Sequence, residues 1–208
     1  MADGDHGIAN ESNLRSRYRD VSELAKKKVL SRLDKHCRAF IGLSPFVCLS
    51  TAAADGKADV SPRGDPPGFV KVLHDTTLLI PDRSGNNRLD TMTNIIANPH
   101  VGLIFFVPGM DETLRIDGQA EIVAGHPGLQ DCAVNGSVPE VGIVVRIGHA
   151  HLHCAKALKR AKLWDTQAQI DRKSFPTLGK IITDQIAEIE MDADEADERI
   201  DRGYQKLY

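Results

Sequence analysis

Two arginines in the middle of the chain lie beside residues that begin a helix. Arg63 ends a predicted strand, and Arg88 lies in the first turn of a predicted helix whose N-cap is Asn86 or Asn87. A helix start offers free N–H groups and an arginine adds a charged fork, so this pattern is suited to binding a phosphate. The alternative is a capped helix beside a solvated arginine.

Three histidines form a second candidate. His149, His151 and His153 alternate along a predicted strand, so their side chains project from one face, and Cys154 follows them. Such spacing can chelate zinc, and histidine also ligates haem iron. A half-solvated strand face explains the same pattern. We therefore predict that these histidines bind no metal. The alternative is that they form a metal or haem site.

The segment that follows the histidines is basic and contains the single tryptophan of the chain. Lys156 and Arg160 are one turn apart on a predicted helix, so they share a face, and Trp164 comes soon after. This face could cover a bound anionic substrate. Alternatively, the lysines are solvated and Trp164 is a packing residue.

Short strands joined by tight turns must position these residues. Gly118 interrupts an alternating strand and predicts a bend or bulge. The apolar periodicities predict strand pairs around tight turns at 46–61 and 69–80, single strands at 101–107, 113–123 and 141–153, and helices at 21–40, 86–97, 155–163 and 178–191. We therefore predict a mainly β protein of the α+β class: a six-stranded antiparallel split β-barrel of Greek-key type with peripheral helices.

Composition excludes several classes of protein. Apolar residues make up 41% of the 208 residues and charged residues 26%, as in a soluble globular chain, and no apolar run is long enough for a membrane helix. The net charge of −3 argues against a nucleic-acid partner, and the four cysteines without a CxxC pair favour the cytoplasm. We predict an N-terminal tail at 1–20 and a single domain at 21–208, with the barrel at about 46–153 and a helical extension at 154–208.

Three segments in order resemble one known family. They are IPDRSGNNR at 80–88, NPHVGLIFF at 98–106 and DETLRIDG at 111–118. Together they resemble the pyridoxamine 5'-phosphate oxidase-like family of FMN-binding split barrels. The extension HCAKALKRAKLW at 153–164 resembles a bacterial branch of that family.

This resemblance implies FMN as cofactor, a homodimer and hydride or electron transfer on an undetermined substrate. Arg63 and Arg88 would hold the FMN phosphate, and Asp82 must then pair with an arginine or point away. The implied cofactor-binding residues are Arg63, Phe69, Val70, Lys71, Pro81, Asp82, Asn86, Asn87, Arg88 and Thr113, and the implied substrate residues are Lys71, Lys156, Arg160 and Trp164. The alternatives are a flavin-binding module without turnover, a deazaflavin-dependent reductase and a haem or metal protein.

Overall fold

One antiparallel sheet of seven strands dominates the computed structural model, which describes residues 7–208. The strand order is β2-β1-β5-β6-β7-β4-β3, so β2 and β3 are its outermost strands. The strands are β1 (Phe46–Ala52), β2 (Ala58–Gly64), β3 (Lys71–His74), β4 (Thr77–Pro81), β5 (His100–Phe106), β6 (Thr113–Ala124) and β7 (Val141–His153).

Helices precede, interrupt and follow the sheet. None of those in the described range combines the length and the hydropathy that a membrane crossing requires. The α-helices are α1 (Glu11–Arg15), α2 (Glu23–Lys27), α3 (Lys35–Leu43), α4 (Asp90–Ala97), α5 (Lys156–Ala161), α6 (Leu178–Gln185) and α7 (Ala193–Tyr204), and 3₁₀ helices lie at Pro127–Cys132, Thr166–Ala168 and Arg172–Ser174.

The main core lies on one face of the sheet, where alternate side chains of the central strands are buried, and a smaller cluster of Leu79, Leu129, Cys132 and Val144 lies on the other face. Val47 and Leu49 of β1 face the main core, as do Leu103 and Phe105 of β5 and Leu114 of β6. Full burial of such a side chain stabilises the fold by about 1.5–3 kcal/mol. Helices α3 and α4 add Cys37, Phe40, Ile41, Met92 and Ile95 to the same core.

The mainly β, antiparallel architecture with peripheral helices is confirmed, but the count of six strands is wrong. The two predicted strand pairs, β1 with β2 and β3 with β4, and the three predicted single strands all form, and together they make one sheet of seven strands. Within residues 7–208 no strand pairing joins the outermost strands β2 and β3. Side chains at the end of β2 and directly after β4 meet instead, as the ion pair between Arg63 and Asp82 illustrates.

The single helix predicted over 21–40 is wrong, because tertiary contacts and local caps divide the segment. Ser22 caps α2, and Asp34 caps α3 by accepting hydrogen bonds from the N–H groups of His36 and Cys37. Between the helices, Leu30 forms an isolated bridge with Ala150 of β7. The helical periodicity of the segment therefore belongs to two short helices and an extended link.

The predicted N-terminal tail at 1–20 lies partly outside the described residues, since the description begins at residue 7. Within the described part, Asn10 caps the short helix α1, and its side chain accepts from the N–H of Asn13. All residues from 7 to 20 are exposed. The described part of the predicted tail therefore contains one helical turn but contributes nothing to the core.

A β-bulge interrupts the pairing of the two longest strands, β6 and β7. The register shifts between Asp117 and Gly118, as the glycine in this strand predicts. A Cβ atom at Gly118 would collide with the carbonyl oxygen of Arg146, so only glycine fits without a backbone shift. Beyond the bulge, Thr113 pairs with His153 at the far end of both strands.

Candidate functional site

A cavity of about 700 Å³ opens between the end of β2, the exit of β4 and the start of α4. This volume is in the range typical of sites for small molecules and cofactors. We call it the α4 cavity. Its lining comprises Asp59, Ser61, Pro62, Arg63, Gly64, Asp65, Phe69, Pro81, Asp82, Arg83, Ser84, Gly85, Asn86, Asn87, Arg88, Leu89, Asp90, Thr91 and Met92.

Two ion pairs of opposite polarity join the end of β2 to the exit of β4. Arg63 Nη1 lies 2.6 Å from Asp82 Oδ1, and Arg83 Nε lies 2.7 Å from Asp65 Oδ2. Each segment thus gives one arginine and one aspartate to the other. The expected pairing of Asp82 with an arginine is confirmed, and its partner is Arg63.

Asp65 is the most enclosed charged group of the cavity, with only 1% of its side chain exposed. Its second carboxylate oxygen accepts a hydrogen bond of 2.7 Å from the hydroxyl of Tyr208, and this bond raises the pKa of that hydroxyl. Arg83 also donates to the carbonyl of Cys132, and its guanidinium lies 5.3 Å from the centre of the Tyr208 ring. The buried carboxylate is therefore fully engaged.

Helix α4 begins later than its sequence pattern predicts. Asn87 and Leu89 both have φ of 58°, which is left-handed, so the chain turns twice before the helix starts at Asp90. The predicted N-cap at Asn86 or Asn87 and the placement of Arg88 in the first turn are therefore wrong. Asn86 instead accepts from the N–H of Arg88 at 3.1 Å.

The late start leaves the helix without a side-chain cap. Leu89 occupies the N-cap position and its side chain makes no capping hydrogen bond. The first N–H groups of an α-helix have no partner within the helix. Since Leu89, Asp90, Thr91 and Met92 line the α4 cavity, this helix end and its partial positive charge face the cavity.

The cavity lining holds nearly balanced charge. Each arginine has an aspartate partner, and the third pair joins Arg88 and Asp90 at 2.8 Å on the exposed side of the cavity. A fourth aspartate, Asp59, accepts from the hydroxyl of Thr91 at 3.2 Å. Any anion that binds here must therefore use donor groups that these pairs leave free.

Arg63 keeps such donors. Its Nη1 engages Asp82 and its Nε donates to Ser61 at 3.3 Å, while its Nη2 makes no hydrogen bond with a described residue. A guanidinium carries five N–H donors in a fixed fork. The free part of the fork, the uncapped start of α4 and Arg88 together fit a phosphate group.

The structure brings together seven of the predicted cofactor residues in the cavity lining: Arg63, Phe69, Pro81, Asp82, Asn86, Asn87 and Arg88. Val70 is buried in the core instead, and Lys71 donates from its Nζ to the carbonyl of Gly68 at 3.2 Å. Thr113 is also buried, at the start of β6. These last three predicted residues lie outside the lining.

The predicted substrate segment also lies outside the cavity lining of its own chain. Lys156 and Arg160 are exposed on α5. Trp164 donates from Nε1 to the carbonyl of Met110 at 2.7 Å, so it fixes the chain after α5 against the turn between β5 and β6. The role of this segment in substrate choice stays a prediction.

The predicted histidine triplet lies on the part of β7 that pairs with β6, and its side chains are on the sheet face opposite the main core. His149 Nδ1 lies 3.0 Å from Asp117 Oδ1, and the rings of His151 and His153 are 6.1 Å apart. Partial burial and the positive charges of Lys28 and Arg115 lower the pKa of both His151 and His153. In the described part of the chain, no three potential ligands gather as a metal centre.

Sequence reasoning missed the network of Asp65, Arg83 and Tyr208. The segments SPRGDPP and IPDR carry a partial signal, because each places an arginine close to an aspartate. Tyr208 has no such signal, since it lies 143 residues from its partner Asp65 in the chain. Only the folded chain brings these groups together.

The family model described as pyridoxamine 5'-phosphate oxidase matches residues 33–143, which is more than half of the chain. A search of curated proteins finds no match.

Several solved structures are similar to this chain. HupZ from Group A Streptococcus is 16% identical, with 57% of this chain and 91% of that chain covered and a TM-score of 0.47. HutZ from Vibrio cholerae, a heme storage protein, is 15% identical, with 59% and 94% covered and a TM-score of 0.41. A general stress protein 26-related protein of the pyridoxinephosphate oxidase family from Clostridium acetobutylicum is 11% identical, with 57% and 85% covered and a TM-score of 0.41.

Proposed function

The chain belongs to the pyridoxamine 5'-phosphate oxidase family, and on that premise we propose that it binds FMN without a covalent bond and acts as an oxidoreductase. The observation that carries the proposal is the α4 cavity, in which an uncapped helix start faces the arginines Arg63 and Arg88. The isoalloxazine ring of FMN supplies hydride or electron transfer, and the protein supplies orientation and electrostatics.

In this proposal Arg63 and Arg88 hold the phosphate. Arg63 is the better positioned of the two, because Asp82 and Ser61 fix its guanidinium while leaving Nη2 free. Arg88 is exposed and needs only to leave Asp90 to reach an anion. The backbone N–H groups at the start of α4 add neutral donors, which suits one phosphate better than the pyrophosphate of FAD.

Phe69 and Pro81 offer apolar surface in the same lining, where a ring system can pack. Asp82 keeps Arg63 in place but also brings negative charge close to the proposed phosphate. We therefore expect binding to rely on neutral N–H donors as well as on charge. Lys71 stays a proposed residue on the substrate side, although its Nζ is bonded to Gly68.

We also propose a homodimer in the cytoplasm that acts on a small, anionic substrate. Lys156, Arg160 and Trp164 do not line the α4 cavity of their own chain, so in this proposal they approach a flavin from the partner chain of the dimer. Thr113 is buried at the start of β6 and stays a proposed flavin contact. The ion pairs that join the ends of β2 and β4 support a sheet that closes as a split barrel of Greek-key type. All four cysteines are free, which fits a reducing compartment.

The experiment that tests this function is reconstitution of the purified chain with FMN, riboflavin, FAD, a deazaflavin or haem, followed by absorbance and binding titration. We expect FMN to bind most tightly, and riboflavin to bind more weakly because it lacks the phosphate. Replacing Arg63 and Arg88 together by Ala removes two charge-assisted contacts of about 1.5–3 kcal/mol each, so FMN affinity should fall by at least about 100-fold.

The matched control is Arg146→Ala, which removes an exposed arginine of β7 that pairs with Glu121 far from the cavity lining. It should leave FMN affinity unchanged. Full FMN binding by the double variant would refute the assignment of the site, and tighter binding of deazaflavin or haem than of FMN would refute the cofactor. Light scattering of the FMN-bound form should give twice the chain mass of 22.7 kDa.

A further inference from the structure

A cluster of basic side chains covers the outer side of β6 and β7, on the face opposite the core. We call it the histidine face, and it consists of Lys28, Arg115, His149, His151 and His153. The register pairs Arg115 directly with His151, and directly opposed residues of an antiparallel pair have Cβ atoms about 4.5–5.5 Å apart. His153 is the next residue on the same side of β7.

Lys28 joins this face from the C-terminal end of α2. Its Nζ donates to the carbonyl of Leu152 at 2.9 Å, which holds the ammonium between the positions of His151 and His153. The neighbouring bridge of Leu30 with Ala150 fixes the backbone that carries it. The cluster is therefore built from two separate parts of the chain.

Positive charge on the histidine face is not neutralised by the described residues. Asp117 is the carboxylate of β6 beside the histidines, and it pairs with His149 at 3.0 Å, while Glu121 farther along β6 pairs with Arg146. The guanidinium of Arg115 makes no hydrogen bond or ion pair with any described residue. This contrasts with the α4 cavity, where Arg63, Arg83 and Arg88 each have an aspartate partner.

A buried polar atom at the centre of this face has no partner. His151 Nδ1 is enclosed and makes no hydrogen bond within the described chain. Buried polar atoms in folded proteins nearly always have a partner, and an exception indicates a missing water, ion or ligand. The histidine face thus holds an unsatisfied ring nitrogen beside two permanent cations.

The charge states of the histidines agree with this geometry. Burial and the charges of Lys28, Arg115 and His153 lower the pKa of His151, while Asp117 acts weakly in the opposite direction. Burial, Arg115 and Lys28 lower the pKa of His153 in the same way. An anion beside them would reverse the Coulombic part of these shifts.

We propose that the histidine face is a second binding site, separate from the α4 cavity, for a phosphate-type dianion held by Lys28, Arg115, His151 and His153. The two permanent charges of Lys28 and Arg115 match the charge of a dianion. A guanidinium fork, an ammonium and two imidazole N–H donors suit a group with three or more acceptor oxygens. The same two cations oppose a metal ion at the histidines.

The site takes up protons when it fills. The lowered pKa values favour the neutral forms of both histidines without a ligand, and a bound dianion favours their charged forms. The affinity for the dianion, calculated on the concentration of the dianion present at each pH, should therefore strengthen as the pH falls toward the ordinary histidine pKa of 6.5. A phosphate group can come from inorganic phosphate or from an organic phosphate ester, and both share this chemistry.

The test follows the imidazole signals of the full chain by NMR while the pH and the concentration of inorganic phosphate are varied. We expect phosphate to raise the pKa of both His151 and His153, with a much smaller effect on His36, which lies on α3. Phenyl phosphate separates an ester from the free ion, because a site for organic phosphates should bind it more tightly. Acetate should bind more weakly than either.

Arg115→Gln and Lys28→Gln should each weaken phosphate binding by about tenfold or more, since each removes a charge-assisted contact. Arg146→Gln is the matched control, because it removes an exposed arginine from the same face of β7 outside the cluster. Repeating the titration with the Arg63→Ala, Arg88→Ala double variant removes binding in the α4 cavity. This makes the result independent of the proposed FMN site.

Three outcomes would overturn the proposal. Phosphate could leave the pKa of His151 and His153 unchanged, Arg115→Gln and Lys28→Gln could bind phosphate like the Arg146→Gln control, or the double variant in the cavity could lose the histidine response. A failure of FMN binding with an intact histidine response would reject the proposed function and leave the second site standing. The converse result would reject only the second site.

Discussion

The α4 cavity and the histidine face both contain arginine, but only the cavity neutralises it. Arg63 and Arg83 in the cavity have aspartate partners at 2.6 and 2.7 Å, whereas Arg115 on the histidine face has none among the described residues. The pairs in the cavity hold two loops together, and the histidine face is held by the backbone ladder of β6 and β7. Ion pairs therefore build one site, and strand register builds the other.

The largest effect on the free energy of unfolding is expected when one ion pair of the α4 cavity is removed. Arg83→Ala leaves Asp65 without its cation while the carboxylate is only 1% exposed, and breaking a buried pair in this way costs about 3–5 kcal/mol. We expect a loss of that size in the free energy of unfolding, measured by urea denaturation. Tyr208→Phe should cost less, about 1.5 kcal/mol, because it removes one hydrogen bond to the carboxylate and leaves the Arg83 pair in place.

Arg88→Ala provides the control, since its pair with Asp90 is largely exposed and contributes at most about 1 kcal/mol. A loss for Arg83→Ala no larger than that for Arg88→Ala would mean that the ion pairs do not hold the cavity together.

The next largest effect is expected from the bulge that sets the register of the histidine face. Gly118→Ala places a Cβ against the carbonyl of Arg146, so the backbone of β6 must shift. Such overpacking typically costs about 1–3 kcal/mol. We expect that loss in thermal or urea unfolding, together with shifted NMR signals for His149 and His151.

Gly109→Ala is the control, because it shows whether the replacement of any glycine near these strands shifts the NMR signals of His149 and His151. Gly109 also lies next to β5 and β6, but a Cβ there meets nothing within 4 Å, and the cost comes only from its φ of 85°. Unchanged histidine signals in Gly118→Ala would show that the bulge does not position the histidine face.

The smallest expected effect is on the dependence of stability on pH. The pKa values of His151 and His153 are lowered in the folded chain, so the unfolded chain binds more protons below the ordinary value of 6.5. Stability should therefore fall as the pH drops from about 7 through 6.5 toward the lowered values. Urea denaturation at several pH values measures this slope.

Replacing both histidines by Gln should flatten that slope. Saturating phosphate should reduce the slope if the second site exists, because the anion counters the Coulombic part of the two pKa shifts. An unchanged slope in the double histidine variant would locate the titration elsewhere in the chain.

Sequence patterns predict the strands of this protein well because their signals are local. The alternation in Thr113–Ala124 and the glycine at 118 predict both the strand and its bulge. Helical periodicity over 21–40 misleads because Leu30 pairs with Ala150, a partner 120 residues away that no local pattern reveals. The late start of α4 was also unpredictable, since Leu89 adopts a left-handed conformation that is unusual for a bulky residue.

The residues of the candidate site also divide into those that the sequence predicts and those that only the folded chain reveals. Arg63 is predicted from its place at a strand end beside a polar loop, Asp82 is implied by the resemblance to the family, and both line the cavity. Asp65 escaped notice because its partners, Arg83 and Tyr208, come from the β4 exit and from the residues after α7. Charged residues that meet only after folding leave no spacing signal in the chain.

The bridge between Leu30 and Ala150 has a consequence for solubility. β4 pairs with β7 only as far as Arg146. Beyond that point, the described residues that cover the free backbone edge of β7 are mainly Leu30 and Lys28. Leu30 exchanges backbone hydrogen bonds of 3.0 and 2.7 Å with Ala150, and Lys28 donates to the carbonyl of Leu152. Uncovered strand backbone is a template for pairing with another molecule. A shortened form that begins after residue 31 should therefore self-associate through β7, and its amides near Ala150 should exchange faster with solvent.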